Sequence, residues 1–302
     1  SVWAAAARAR LPVVHTCHDY EVLSPEGTIA GRMGELAISG SPLLWPYQSM
    51  RRALSRSVSV VTAPTRFTLD HHLRLGFFAH ARSFVVPNTH GLTEADLKAR
   101  RITPAASEGR ATRLLYLGRL EEEKGAAVLC AAYEKAVAAR PELRLDVAGW
   151  GALEQPLRAR YGHLPHLVFH GRVAGAAKEE LLANTGVMIV PSTCWEVFGI
   201  VIVEAFAHGK PVIASALGSL PELVDEGRTG FLTPPGDVEA LAERLIWAAD
   251  HSAALQAMSP ACAAAARAYT VEASTRGYLA AYAAVLAVGS VPPAAQPATR
   301  HG

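Results

Sequence analysis

The sequence predicts an α/β protein built on parallel, doubly wound sheets, and three observations carry that prediction. From Arg113 onward, short β-branched runs alternate with segments of helical period about 20 to 25 residues apart, the pattern of βαβ units. Apolar residues make up 50% of the chain and charged residues 19%, enough for a large buried core; 302 residues at about 150 per domain suggest two domains. Glycine and proline fall where strands and helices should end, as at Pro141, Gly149 and Gly209.

In order along the chain, Val2–Leu11 reads as the end of an Ala/Arg-rich helix, and a start on Ser1 predicts a segment upstream. Pro12–Thr16, Ser59–Ala63 and Phe84–Pro87 read as strands, with Met50–Arg56 and Thr65–Leu75 as helices, about half of a Rossmann-like domain. Between Asn88 and Arg113 the apolar period is lost, which predicts a connection and a domain boundary near residue 110. Strands follow at Leu114–Leu117, Leu143–Ala148, Val168–His170, Val187–Val190 and Val212–Ala214. Helices separate them at Ala126–Ala139, Lys178–Ala183 and Val201–His208, the last closed by Gly209 as a C′ glycine. Asp237 is a good N-cap for a helix reaching Asp250, and a final, returning helix runs from about Thr270 to Val288 in a domain over 111–288. Residues 289–302 form a Pro/Ala/Gln tail predicted to be disordered.

Several function classes are excluded early. No apolar stretch approaches the roughly 18 residues of a membrane span, and Lys and Arg are scattered under a net charge of +2, so no nucleic-acid footprint is present. Cys17, Cys130, Cys194 and Cys262 lie far apart without CxxC pairs, which argues for a reducing, cytoplasmic setting. Gly149-Trp150-Gly151 starts like a dinucleotide fingerprint, but Glu154 stands where the third glycine belongs, and no Walker A, HExxH or GxSxG sequence occurs. Arg51, Arg52, Arg56, His71 and His72 read as helix-surface residues, the arginines being too few for a polybasic membrane anchor.

Phosphate and carboxylate chemistry is what remains. Gly118 to Gly125 joins a strand to a helix at the sheet edge where open α/β folds bind ligands, and it carries Arg119 and Lys124. Arg offers a planar fork and Lys a point charge, a pair suited to a diphosphate, although three glutamates in the same loop fit solvated surface charges equally well. In Pro191 to Ala205, Glu196 belongs to a loop and Glu204 to the second turn of the helix that follows Gly199. The first N–H groups of that helix are ready phosphate donors. Glu204 is flanked by Val201, Ile202, Val203, Ala205 and Phe206, so its charge needs a polar ligand or a cation.

Glu196 and Glu204 form an E-x7-E motif, preceded at the expected distance by Gly118-Arg119 and Lys124-Gly125. With Phe169 to Val173, Glu204 to Ser215, Pro221 to Val224 and Gly230 to Leu232, these residues resemble the retaining glycosyltransferases of family 4 over about 113–250. The resemblance implies a GT-B fold, two Rossmann-like domains facing a cleft, with the N-terminal one incomplete here. It implies transfer of a sugar from a UDP- or GDP-linked donor to a glycan, lipid-linked or small-molecule hydroxyl, without metal or other cofactor, and peripheral contact with the inner face of a membrane. Arg119 and Lys124 would hold the diphosphate and Glu196 the sugar hydroxyls. Glu204 would hold the ribose, with Gly118, Phe198, Gly199, Ile200 and Val201 near phosphate and Arg172 and Val173 beside the base. The donor phosphate would assist acceptor deprotonation, so neither glutamate needs to act as a nucleophile.

In the N-terminal half, His18 aligns with the family's cleft histidine, and Asp19 is placed to orient its ring. Strand alternation puts His15 and Cys17 on the face opposite His18, which disfavours a metal site. Ser219 stands where the family usually has a second glycine after Gly218, and Trp150 where many relatives are acidic. A nucleotide-sugar-binding module without turnover, or a nucleotide-sugar 2-epimerase, would carry the same motifs.

Overall fold

The structure, a computed structural model, describes residues 2–38, 42–100 and 113–288. The expected boundary at 110 and the tail 289–302 lie outside the described residues.

The first half comprises α1 (Val2–Arg8), β1 (Val14–Thr16), α2 (Gly31–Ile38), α3 (Trp45–Ser55), β2 (Val60–Ala63), α4 (Arg66–Arg74), β3 (Arg82–Val85) and α5 (Glu94–Ala99). Its three strands pair in parallel in the order β1-β2-β3. The second half runs β4 (Arg113–Leu117), α6 (Ala126–Ala139), β5 (Arg144–Ala148), α7 (Glu154–Tyr161), β6 (Leu167–Gly171), α8 (Gly175–Asn184), β7 (Val187–Val190) and α9 (Ile200–Ala207). It ends with β8 (Val212–Ser215), α10 (Leu220–Leu223), β9 (Gly230–Thr233), α11 (Val238–Asp250), α12 (Ser252–Ala266) and α13 (Val271–Val288). Its six parallel strands follow the order β6-β5-β4-β7-β8-β9. Sequence order therefore reverses between β4 and β7, and the crevice beyond their carboxyl ends is where such sheets take ligands.

The strand sequences explain this layering. β7 and β8 are buried at every residue, because helices cover both faces of the sheet, and uninterrupted runs such as Val187-Met188-Ile189-Val190 belong in such an environment. The α9 sequence is apolar almost all round, and Ile202, Val203, Ala205 and Phe206 are buried. Asp237 caps α11 as its position predicts, its carboxylate accepting from the Ala240 N–H at 3.0 Å.

Two expectations need correction, the unbroken connection over 88–113 and the surface placement of His72. The stretch 88–113 is not an unbroken connection, because α5 forms on a capping box in which the Thr93 hydroxyl accepts from the Asp96 N–H and the Asp96 carboxylate from the Thr93 N–H. The Ala-rich stretch around Pro260 is the helix α12, although a proline inside a helix ordinarily breaks it. α13 returns to the first half and packs across β1, β2 and β3, where Ala281, Ala284 and Val285 close a small core with Val60, Val14 and Phe84. His72, expected on a helix surface, is fully buried: it shares an α4 face with Thr65, Thr68 and Leu69, stacks on Tyr20 at 5.9 Å and bonds through Nδ1 to the Thr68 carbonyl at 2.8 Å.

Candidate functional site

The loops after β4 and β7, which hold the two motifs, lie on either side of the point where strand order reverses. They are stitched together. The Thr193 N–H donates to the Glu123 carbonyl at 2.9 Å, and Gly125, at φ +72°, sits so close to the second loop that a Cβ would collide with the Pro191 carbonyl oxygen. Glycine is thus required at 125 both for its backbone angle and for the approach. The two loops open onto a cavity of about 400 Å³ lined by His18, Arg119, Lys124, Glu196 and the start of α9.

Within it Lys124 Nζ reaches both carboxylate oxygens of Glu196, at 2.8 and 2.9 Å, and the Ser192 hydroxyl donates to Glu196 Oε1 at 2.7 Å. Both side chains are mostly withdrawn from water, 22% and 17% exposed, so the contact is stronger than a surface ion pair. Burial pushes the Cys194 thiol, 4.0 Å from Lys124 Nζ, up to about 11, so it stays neutral beside the pair. Arg119 is half exposed at the rim, with its guanidinium 3.3 Å from Glu123. Gly199 has φ +96°, and a Cβ there would lie 2.9 Å from Leu220 Cδ2, so glycine shapes the approach to the first turn of α9. Phosphate chemistry fits this arrangement: two cations, an aligned helix start and a carboxylate that accepts hydrogen bonds around one void.

Of the residues singled out from sequence, His18, Gly118, Arg119, Lys124, Glu196, Phe198, Gly199, Ile200 and Val201 all line this cavity. Three do not. Glu204 Oε1 is engaged by Lys178 Nζ at 2.6 Å, and its Oε2 is buried without a hydrogen-bond partner. The cation that its apolar surroundings demanded is therefore a lysine of α8. Arg172 is exposed with its guanidinium 5.9 Å from the Trp150 ring, and Val173 packs half-buried against the core of the second half.

The first half supplies the opposite wall. His18 faces the cavity, but Asp19 does not orient it; its carboxylate accepts instead from the Glu21 N–H at 2.9 Å. Among the described residues no three His, Cys, Asp or Glu side chains gather closely enough to hold a metal ion. Sequence reasoning missed Asn88, Thr28, Ser192 and Trp195 in the lining. Asn88 carried a signal, following a strand end directly; Thr28 lies in a turn whose position nothing local announces.

Comparison with known proteins agrees with this geometry. Residues 111–251 match the family described as "Glycosyl transferases group 1". Phosphatidyl-myo-inositol mannosyltransferase of Mycolicibacterium smegmatis is 40% identical over 141 residues, 46% of this chain and 36% of the relative. Sulfoquinovosyl transferase SQD2 of Arabidopsis thaliana is 32% identical over 148 residues, 48% of this chain and 28% of the relative. The aligned part thus spans about a third of these relatives' own length. In fold, Anabaena Alr3699/HepE in complex with UDP superposes with a TM-score of 0.69 at 23% identity, covering 93% of this chain and 75% of that one. Sucrose-phosphate synthase of Thermosynechococcus elongatus gives 0.70 at 23%, over 95% and 72%. Among the described residues no helix is long and apolar enough to cross a membrane. The chain is of the GT-B type in fold and, through residues 111–251, carries a domain of the group 1 glycosyltransferases.

Proposed function

We propose that the protein is a retaining glycosyltransferase that takes a sugar from a UDP- or GDP-linked donor and passes it to a hydroxyl acceptor. The observation that carries this reading is the meeting of Lys124, Glu196, Arg119 and the α9 start in one cavity at the strand-order reversal, with His18 opposite. Lys124 and Arg119 place positive charge where a diphosphate leaving group gains negative charge, and the first N–H groups of α9 add donors that need no rearrangement as that charge grows. Glu196, already tied to Lys124 and Ser192, serves as a hydrogen-bond acceptor for sugar hydroxyls; a carboxylate so held is a poor nucleophile, which favours same-face transfer assisted by the donor phosphate. His18 contacts the transferred sugar or the incoming acceptor. Glu204, one helical turn beyond Ile200 and outside the cavity lining, meets the ribose by giving up its contact with Lys178. No step in this scheme calls for a metal, and four buried free thiols fit a reducing, cytoplasmic setting. The phosphatidyl-myo-inositol in the name of the mannosyltransferase relative makes lipid-linked acceptors a natural first class to try.

Calorimetric titration of the chain with a panel of UDP- and GDP-sugars tests the reading. Saturable heat with at least one donor is expected, followed by an acceptor conjugate that keeps the donor's anomeric configuration. Silence across the panel, or an altered free sugar in place of a conjugate, would overturn it.

A further inference from the structure

We infer that Tyr20, Thr65 and Thr68, three hydroxyl residues of the first half, are positioning residues for Glu196 and for the start of α9. They act through the backbone that joins those two features. The inference rests on the reading of the cavity as a nucleotide-sugar site.

The three side chains are 1%, 2% and 0% exposed. Their hydroxyls form one connected group, with Thr65 Oγ1 3.0 Å from Thr68 Oγ1 and Tyr20 Oη 3.2 Å from Thr68 Oγ1. From that group, bonds cross to the other half of the chain. Thr65 and Thr68 both reach the Val197 carbonyl, at 3.1 and 3.2 Å, and Tyr20 reaches the Glu196 carbonyl at 3.4 Å. On the far side of the same segment, the Ser219 N–H donates to the Glu196 carbonyl at 3.3 Å and the Ser219 hydroxyl to the Phe198 carbonyl at 3.2 Å. Three successive carbonyls, at 196, 197 and 198, are therefore each held.

Because a peptide unit is planar, fixing its carbonyl also fixes the N–H on its opposite edge. Holding the carbonyls at 196 to 198 thereby sets the N–H directions of Val197, Phe198 and Gly199, the approach to the helix start offered to phosphate. It also fixes the Cα from which the Glu196 carboxylate reaches Lys124. Thr65 already accepts the Thr68 N–H as the N-cap of α4, so a hydroxyl serving only that helix would have no need to reach Val197. The anchoring group is itself fixed: Tyr20 stacks on buried His72, and the Glu222 carboxylate of the second half accepts from the Arg66 and Phe67 N–H groups at the start of α4.

Hydrogen–deuterium exchange on the full chain, free of ligand, tests this in Thr68→Val, Thr68→Ser and Tyr20→Phe. Losing one such bond is worth roughly a factor of ten in local opening, so amides of 192–199 should exchange about tenfold faster in Thr68→Val and Tyr20→Phe. Amides of β8 should stay unchanged, and Thr68→Ser should restore protection. Unchanged exchange at 192–199, or acceleration spread evenly over the chain, would overturn the inference; Tyr20→Phe carries the test alone if Thr68→Val does not fold. The same variants titrated with UDP-glucose separate the two levels. A parent chain that binds neither this donor nor any other strikes the functional reading and leaves the exchange result intact, whereas a parent that binds and variants equal to it in both assays strike this inference alone.

Discussion

Lys124 and Glu196 belong to different loops, 72 residues apart in sequence, yet the ammonium lies within 2.9 Å of both carboxylate oxygens. Each is the other's counter-charge in a site largely shielded from water. Removing one leaves the other partly desolvated and alone, so Lys124→Ala and Glu196→Ala should each weaken donor binding by about 1–3 kcal/mol. The double variant should cost clearly less than the sum of the two. Calorimetric titration of the three variants decides it, and strict additivity would show that the pair does not act as a unit.

The Lys178–Glu204 contact makes a prediction about stability. With Glu204 Oε2 already unpartnered, Lys178→Met strands a carboxylate in apolar surroundings and should lower unfolding free energy by about 1–3 kcal/mol in urea titration. Adding Glu204→Gln to Lys178→Met should recover part of that loss.

Burial holds His72 down to about 4, against an ordinary value of 6.5. The unfolded chain then binds this proton more readily than the folded one between those two values. Its contribution is complete above pH 6.5 and declines as pH falls toward 4, at up to about 1.4 kcal/mol per unit. Urea midpoints measured at pH 7 and pH 5 should fall less in His72→Phe than in the parent chain.

Gly125→Ala should be severe. Its φ of +72° strains any side chain, and the Pro191 carbonyl leaves no room for a methyl group, so the β4 and β7 loops must part. A loss of more than about 1 kcal/mol in stability is expected, with donor binding reduced further than stability alone explains. Gly227→Ala, where φ is also positive (+73°) but nothing lies within 4 Å, is the control for backbone strain by itself, away from the cavity.

Much of this was legible in the sequence, where the signals are local and periodic. β7, α6 and the end of α11 fall at the residues their patterns predict, because fully buried strands and capped helices write their limits into consecutive residues. The two site loops followed from the same logic, since Gly118 to Gly125 and Pro191 to Gly199 fill gaps between well-marked elements. What stayed hidden depends on distant partners. Glu204 announced that it needed a cation but not that Lys178, 26 residues earlier on another helix, would be that cation. His72 looked like one charged residue in a polar helix, although its spacing from Thr65, Thr68 and Leu69 already put it on the inner face. Tyr20 sits in a turn without periodicity, so its reach to the Glu196 carbonyl, 176 residues on, was beyond any local pattern.

α13 lies over β1, β2 and β3 although it is the last helix among the described residues. During synthesis the first sheet therefore waits, with Val60 and Phe84 uncovered, until residues 271–288 leave the ribosome. A protease cut between Arg100 and Arg113 would not release two independent pieces either, because the later fragment would still hold the roof of the earlier one.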